Sequence, residues 1–283
     1  MKVFDFARGV ILTTTSREEW ADFQKAHALK LFHHVPTASS DLWESKEGLF
    51  RRDDMLPARP IVLLPTRTQE LAYREFIRCY GGYIAAHRKP PRPDIILESY
   101  GEFFGVLSDD LRSHLRQWEQ KIEDFSSRCA MVEGHLDVNV ANLLYDGKIY
   151  VVDIADAGLA VPCLYDINNL ALNEIYEGRD LSLLRALVSK SYADMLTSTV
   201  SGAIADFRSE DIRTSILINV VMRESSYVSK VLFKRPIRTR VANVRYGQFL
   251  RAMTEVDGSP AFGPHHDLET SPCIHAPNTG HDR

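Results

Sequence analysis

Residues 134–158 read GHLDVNVANLLYDGKIYVVDIADAG, so one His, four Asp and two Asn surround a short apolar stretch. The runs NLLY and KIYVVDI flank Asp146-Gly147, a preferred pair for a tight hairpin turn. With a two-residue loop, Tyr145 stands opposite Lys148, Leu143 opposite Tyr150 and Asn142 opposite Val151. Side chains two apart on a strand share a face, so this register predicts that Asp153 projects beside Asn142. An amide oxygen and a carboxylate converging at the open end of a hairpin are hard ligands of the kind Mg²⁺ takes. Asp137 lies five residues before Asn142, in a loop that must pass the same end. A lone Asp or Asn in a loop is more often a turn residue than a ligand. The joint order along this stretch is what carries the reading. A proton acceptor, an amide ligand and a metal carboxylate at one place are what phosphoryl transfer requires.

The stretch GHLDVNVAN resembles the H-x-D-x-x-x-x-N catalytic loop of the protein-kinase-like superfamily, most closely its aminoglycoside phosphotransferase and choline kinase branch, with RIO-type kinases next. In that branch a hairpin follows, and then a segment of the form I-D-W-x-D-A-G-x-G-D-P-x-Y-D. VDIADAGLAVPCLYD has Asp153, Asp156, Ala157, Gly158, Pro162, Tyr165 and Asp166 in that order. The resemblance implies Asp137 as catalytic base, Asn142 and Asp153 as Mg²⁺ ligands assisted by Asp156, His135 as a brace for the loop and Asp166 as its anchor. This sequence departs from the pattern at Leu136, Ile154, Ala160 and Val161, and has one extra residue between Pro162 and Tyr165. The implied fold is α+β and two-lobed: a small mixed N-lobe over residues 1–100, a larger, mainly helical C-lobe over 101–256, and a loose tail over 257–283.

Bulk properties fit and narrow this. The 283 residues are 45% hydrophobic and 25% charged, which suits a globular protein with a full core. A net charge of -4 lacks the basic footprint of a general nucleic-acid binder. No apolar run is long enough to span a bilayer, and MKVFDFARGV lacks the apolar core of a signal peptide. Cys79, Cys129, Cys163 and Cys273 are widely spaced, which predicts free thiols and a cytoplasmic setting. GxxxxGK[ST] and GxGxxG are absent, against P-loop and Rossmann chemistry.

Upstream, KVFDFA and VILTTT predict a hairpin across Arg8-Gly9, and Ser16 with Glu19 is a capping box opening a helix. RPIVLLP and IILES read as short strands. TRTQELAYREFIRCYGG reads as a helix stopped by Gly81-Gly82, and SDDLRSHLRQWEQKIEDFSSR as another helix. A kinase-like site needs a Lys on the ATP phosphates and a Glu holding it. A-x-K-x-F around Lys30 resembles the lysine strand, although the same residues also continue the helix from Ser16. Glu70 is the candidate partner, with Glu75 as substitute. IILESYGEF, at Leu97 to Ser99, stands where a hinge would meet adenine.

His33-His34 and His265-His266 lack spaced partners and read as solvated. The segment 225–254 holds Lys230, Lys234, Arg235, Arg238, Arg240, Arg245 and Arg251. It reads either as a solvated face or as a pocket for an anionic acceptor. Enzymes of this branch that modify aminoglycosides tend to present acidic surfaces, so the basic segment speaks against that substrate. The leading expectation is an ATP- and Mg²⁺-dependent phosphotransferase acting on a hydroxyl of a small molecule, such as an anionic sugar or a lipid headgroup. The alternatives are a pseudokinase or nucleotide-binding regulatory module, and a metal-dependent phosphohydrolase built from His135, Asp137, Asp153 and Asp156.

Overall fold

The computed structural model describes residues 2–154, 157–228 and 239–258. Strands β1 (Lys2–Asp5) and β2 (Val10–Thr14) form the expected hairpin, with Asp5 opposite Val10 and Gly9 left-handed at φ 64° in the turn. A second hairpin, β3 (Ser40–Ser45) and β4 (Gly48–Asp54), completes an antiparallel sheet of order β1-β2-β4-β3. SDLWES and GLFRRDD carry too many charges to announce themselves as strands. Trp43 opposite Phe50, rings 5.4 Å apart, gives them an apolar cross-strand pair. Helix α1 (Arg17–His27) is closed by the full capping box: Glu19 N donates to Ser16 Oγ and Ser16 N to Glu19 Oε2.

Residues 55–58 lead from this sheet to β5 (Arg59–Pro60), which joins a second sheet of order β5-β7-β8 with β7 (Leu143–Tyr145) and β8 (Ile149–Val151). A two-stranded ladder pairs β6 (Met131–Glu133) with β9 (Ala160–Pro162). Around these pack α2 (Thr66–His87), α3 (Pro93–Val106), α4 (Asp109–Arg116), α5 (Glu119–Arg128), α6 (Tyr165–Tyr176), α7 (Ser182–Val188), α8 (Lys190–Thr199), α9 (Asp211–Glu224) and α10 (Thr239–Val256). Helix α6 is buried on every side from Tyr165 to Ile175, and packs against α7, α9 and α10. Each Leu or Ile enclosed there contributes about 1.5–3 kcal/mol. The architecture is a small antiparallel sheet beside a larger, mainly helical body.

Several expectations change. RPIVLLP gives only the two-residue β5 and then a 3-10 turn, Ile61–Leu63. IILES is helical, inside α3: Pro93 opens the helix, and Ile96, Ser99 and Phe103 at spacings of three, four and seven form its buried stripe. The helix from Ser108 breaks into α4 and α5. Helix α2 does not stop at Gly81-Gly82 but runs to His87. Gly81 serves a close approach instead: a Cβ there would lie 2.1 Å from Thr199 Cγ2 on α8. The four-stranded sheet ends at Asp54, and beyond it α2 packs against α8 and α3 against α5 and α9.

Candidate active site

The loop 134–142 leaves β6 and is held from below by α6. Gly134 sits where a Cβ would lie 2.6 Å from Val161 Cγ2. Gly134 N donates to Leu159 O, and Gly158 N returns a bond to Gly134 O. The fully buried Asp166 carboxylate accepts the amides of His135 (2.7 Å) and Leu136 (2.9 Å) and the hydroxyl of Tyr80 (2.8 Å). Burial pushes the Asp166 carboxyl up to about 6, against the pull of those three donors. Leu136 is left-handed at φ 72°, a costly conformation for a branched side chain that its neighbours enforce. Asn169 Nδ2 donates to Leu136 O at 2.8 Å and Asn173 Nδ2 to Val138 O at 3.1 Å. Asp166, Asn169 and Asn173 lie three and seven residues apart on one face of α6, so one helix grips the loop at consecutive turns. Of these the sequence reading named only Asp166. Three polar residues at helical spacing in the run YDINNLALN were the signal for the other two.

His135 is buried, edge-on to Phe32, and its Nε2–H donates to Val152 O at 3.2 Å. Burial lowers its pKa to about 4, so the imidazole is neutral at physiological pH. Val152 N in turn donates to Asn142 O at 2.9 Å. One residue thus ties the loop to the hairpin and sets Asp153 beside Asn142 along the backbone. Asn139 Oδ1 caps the amides of Ala141 (2.9 Å) and Asn142 (3.0 Å). Asn142 Nδ2 donates to Asp137 Oδ2 at 3.1 Å and to Asp137 O at 3.0 Å.

The hairpin register differs by one residue from the sequence expectation. Leu143 pairs with Val151 and Tyr145 with Ile149, around a three-residue loop, Asp146-Gly147-Lys148. Asp146 Oδ1 accepts Lys148 N at 3.1 Å, and Gly147 takes φ 105°. The two-residue loop would have put Lys148 on the face of Leu143, whereas the observed register puts Leu143, Ile149 and Val151 together in the core. Asn142 therefore stands opposite Val152, and the same-face argument for Asp153 fails. What turns the chain at Asp153 is its left-handed φ of 60°, which takes it out of the pleat. Among the described residues the exposed Asp153 carboxylate and Asn142 Oδ1 make no hydrogen bond or ion pair. An amide oxygen and a carboxylate left without partners among the described residues are hard donors of the kind Mg²⁺ takes. Asp156 lies outside the described residues. No group of three or more His, Cys, Asp or Glu placed to hold a metal occurs among the described residues.

The other candidates are not gathered here. Lys30 lies in a 3-10 turn (Lys30–His33), neither on a sheet strand nor in α1, because the helix ends at His27 and Leu29 turns extended. Glu70 is ion-paired with Arg74 one turn along α2, and Glu75 with Arg78, so no Lys30–Glu70 pair forms among the described residues. Leu97 and Ser99 sit within α3, where backbone amides and carbonyls are spent inside the helix and cannot meet an adenine. His34 meets His87 edge-on and Tyr83 at a tilt. Arg245 is ion-paired with buried Glu224, with its guanidinium over Tyr176. Lys230, Lys234, Arg235, Arg238 and His265-His266 lie outside the described residues.

The fold has solved counterparts. Choline kinase LicA from Streptococcus pneumoniae is similar over 91% of this chain and 89% of its own, at 11% identity and a TM-score of 0.51. A thermostable mutant of aminoglycoside phosphotransferase APH(4)-Ia, in ternary complex with AMP-PNP and hygromycin B, is similar over 89% of this chain and 93% of its own, at 14% identity and a TM-score of 0.51. No protein-family model matches the chain, and no curated protein matches it. The chain shares the fold of these two solved small-molecule kinases.

Proposed function

We propose that this chain is an ATP- and Mg²⁺-dependent phosphotransferase that moves the γ-phosphoryl group onto a hydroxyl of a small molecule. One observation carries the reading: Asn142 holds the Asp137 carboxylate by its amide while its own Oδ1, and the carboxylate of Asp153, have no hydrogen-bond or ion-pair partner among the described residues. The structural neighbours named for choline kinase and aminoglycoside phosphotransferase activity support it.

In this reading Asp137 accepts the proton of the attacking hydroxyl. The Asn142 amide donates to Asp137 Oδ2 and so orients the carboxylate. Asn142 and Asp153 would hold Mg²⁺, which when bound neutralises charge on the β- and γ-phosphates. His135, neutral and buried, keeps the loop on Val152, and Asp166 keeps the left-handed turn at Leu136 in place. In place of Leu97 and Ser99, the backbone offered to adenine is the connector 55–58, which has no strand or helix of its own and in which the Met55 amide already donates to Gly9 O. Such a reaction draws on cytoplasmic ATP, and no described helix is long and apolar enough to cross a membrane.

A second reading, a nucleotide-binding module without transfer, is favoured by one observation: the Lys–Glu pair that would hold the phosphates does not form from Lys30 and Glu70. A phosphohydrolase is disfavoured, since the His135 ring is buried and its Nε2 is committed to Val152 O. A coupled ATP-consumption screen across sugars, amino alcohols, antibiotics and lipid headgroups separates the readings. Turnover with one acceptor class, abolished in Asp137→Asn, supports the phosphotransferase. Nucleotide binding with no turnover by any acceptor supports the module.

A further inference from the structure

A cavity of about 330 Å³ lies where the C-terminal end of α2 meets β6 and the 3-10 turn that follows α1. Leu29, Lys30, His87, Arg88, Lys89 and Glu133 line it, with Tyr83. We propose that it is an anion site that takes a phosphomonoester carried by the phosphoryl acceptor. The proposal rests on the phosphotransferase reading for the word acceptor, but the site itself does not.

Its walls are built. Lys89 exchanges two backbone hydrogen bonds with Met131, 2.8 and 3.1 Å, and so extends the β9–β6 ladder by one residue. Tyr83 donates its hydroxyl to Glu133 O at 2.8 Å, which fastens α2 to the same strand. Lys89 Nζ lies 2.6 Å from Glu133 Oε1. The Arg88 guanidinium donates to Ala85 O and packs beside Gly202. Lys30 faces these groups from the 3-10 turn.

The protein carries a net charge of -4, and on α2 Arg74 is matched by Glu70 and Arg78 by Glu75, whereas Arg67 has no ion pair among the described residues. In the cavity Lys30, Arg88 and Lys89 face one carboxylate, Glu133, and that carboxylate is engaged by Lys89. Lys30 and Arg88 have no carboxylate within ion-pair distance among the described residues, so two positive charges are in excess. A dianion held by an ammonium and a guanidinium is the ligand that cancels this excess. The volume lies at the lower end of small-molecule sites, enough for a phosphate and part of the group bearing it.

Position ties the cavity to the reaction. Glu133 precedes Gly134 and His135 directly, and Asp137 lies four positions on, a span of at most about 14 Å. Leu29 reaches over Gly158, where a Cβ would be 3.6 Å from Leu29 Cδ1. An acceptor anchored here by its phosphate would present its hydroxyl toward Asp137.

The test is calorimetric titration of the full chain, without nucleotide, with inorganic phosphate, glycerol 3-phosphate and glycerol. The wild type is expected to bind both phosphates and not glycerol. Lys30→Ala/Arg88→Ala is expected to weaken phosphate binding tenfold or more, while AMP-PNP with Mg²⁺ binds as to the wild type. The single variant Arg88→Glu, with far-UV circular dichroism matching the wild type, gives the same comparison if the double variant misfolds. Wild-type chain that ignores both phosphates, or a variant that binds them undiminished, overturns the proposal. Parallel loss of AMP-PNP binding overturns it too, because the cavity then serves the nucleotide. Phosphate binding that is lost in the variants of a chain with no transferase activity would leave the site standing and sink the phosphotransferase reading alone.

Discussion

Asn142 donates its side-chain amide to both the carboxylate and the main-chain oxygen of Asp137, at 3.1 and 3.0 Å. One amide therefore fixes the rotamer of the carboxylate and leaves its own oxygen facing outward. If the pair serves phosphoryl transfer, its two members fail differently. Asp137→Asn is expected to lower kcat by about 10²–10⁴-fold, the usual worth of a positioned base, with nucleotide affinity retained. Asn142→Ala is expected to lose turnover and Mg²⁺-dependent nucleotide binding together. Steady-state kinetics with nucleotide titration on both variants checks the split.

Asp166 carries three donors in a dry environment, so its removal is costly. Asp166→Ala leaves the amides of His135 and Leu136 and the Tyr80 hydroxyl unpaired, at about 1–3 kcal/mol each. Urea unfolding is expected to show a loss of several kcal/mol. Tyr80→Phe, which deletes one donor and leaves the carboxylate its two amides, is expected to cost about 1–2 kcal/mol. A neutral result for Asp166→Ala would mean that Asn169 and Asn173 hold the loop without it.

The buried His135 predicts acid sensitivity of a definite sign. Its folded pKa is lowered to about 4 from 6.5, so below 6.5 the unfolded chain takes up a proton that the folded chain refuses. Stability from this group is complete above pH 6.5 and declines as the pH falls toward 4. At pH 5 the decline is about 2 kcal/mol. Asp166, raised to about 6 by burial, works oppositely and stabilises the fold as the pH falls through the same range. The wild-type profile is therefore shallow, and His135→Asn exposes the Asp166 limb. Unfolding of that variant is expected to become more favourable at pH 7 than at pH 5, relative to the wild type.

Gly81 tests the packing of α2 on α8. Alanine is the better helix former by up to about 1 kcal/mol. Gly81→Ala is nevertheless expected to lower stability by about 1–3 kcal/mol, because its Cβ meets Thr199 Cγ2 at 2.1 Å. Thr199→Ser removes that methyl, so the double variant is expected to recover most of the loss in thermal denaturation.

How much of this was legible in the sequence varies with the kind of signal. The β1–β2 hairpin, the capping box at Ser16 and the polar stretch around Asp137 rest on local rules and appear where the residues put them. The register of β7 and β8 was missed by one residue, because the Asp146 side chain builds a three-residue loop that the Asp-Gly pair alone does not announce. IILES was misread because a short apolar run has no period of its own, and only Pro93 and the distant Phe103 make it helical. Gly81-Gly82 looked like a stop because the reason for a small residue there, Thr199, is more than a hundred positions away. Asn169 and Asn173 were overlooked for a related reason: their partners are backbone carbonyls of the loop, which no side-chain pattern displays.

The central claim is that Asn142 and Asp153 together bind the Mg²⁺ of a nucleotide beside Asp137. Thermal denaturation with AMP-PNP, with and without Mg²⁺, tests it without knowledge of the acceptor. At a hundred times the dissociation constant the ligand is expected to stabilise the wild type by about 2.7 kcal/mol, a rise in Tm of roughly 5–10 °C. The rise should require Mg²⁺ and vanish in Asp153→Ala. A wild type whose Tm does not move, or an Asp153→Ala variant that responds in full, would contradict the account.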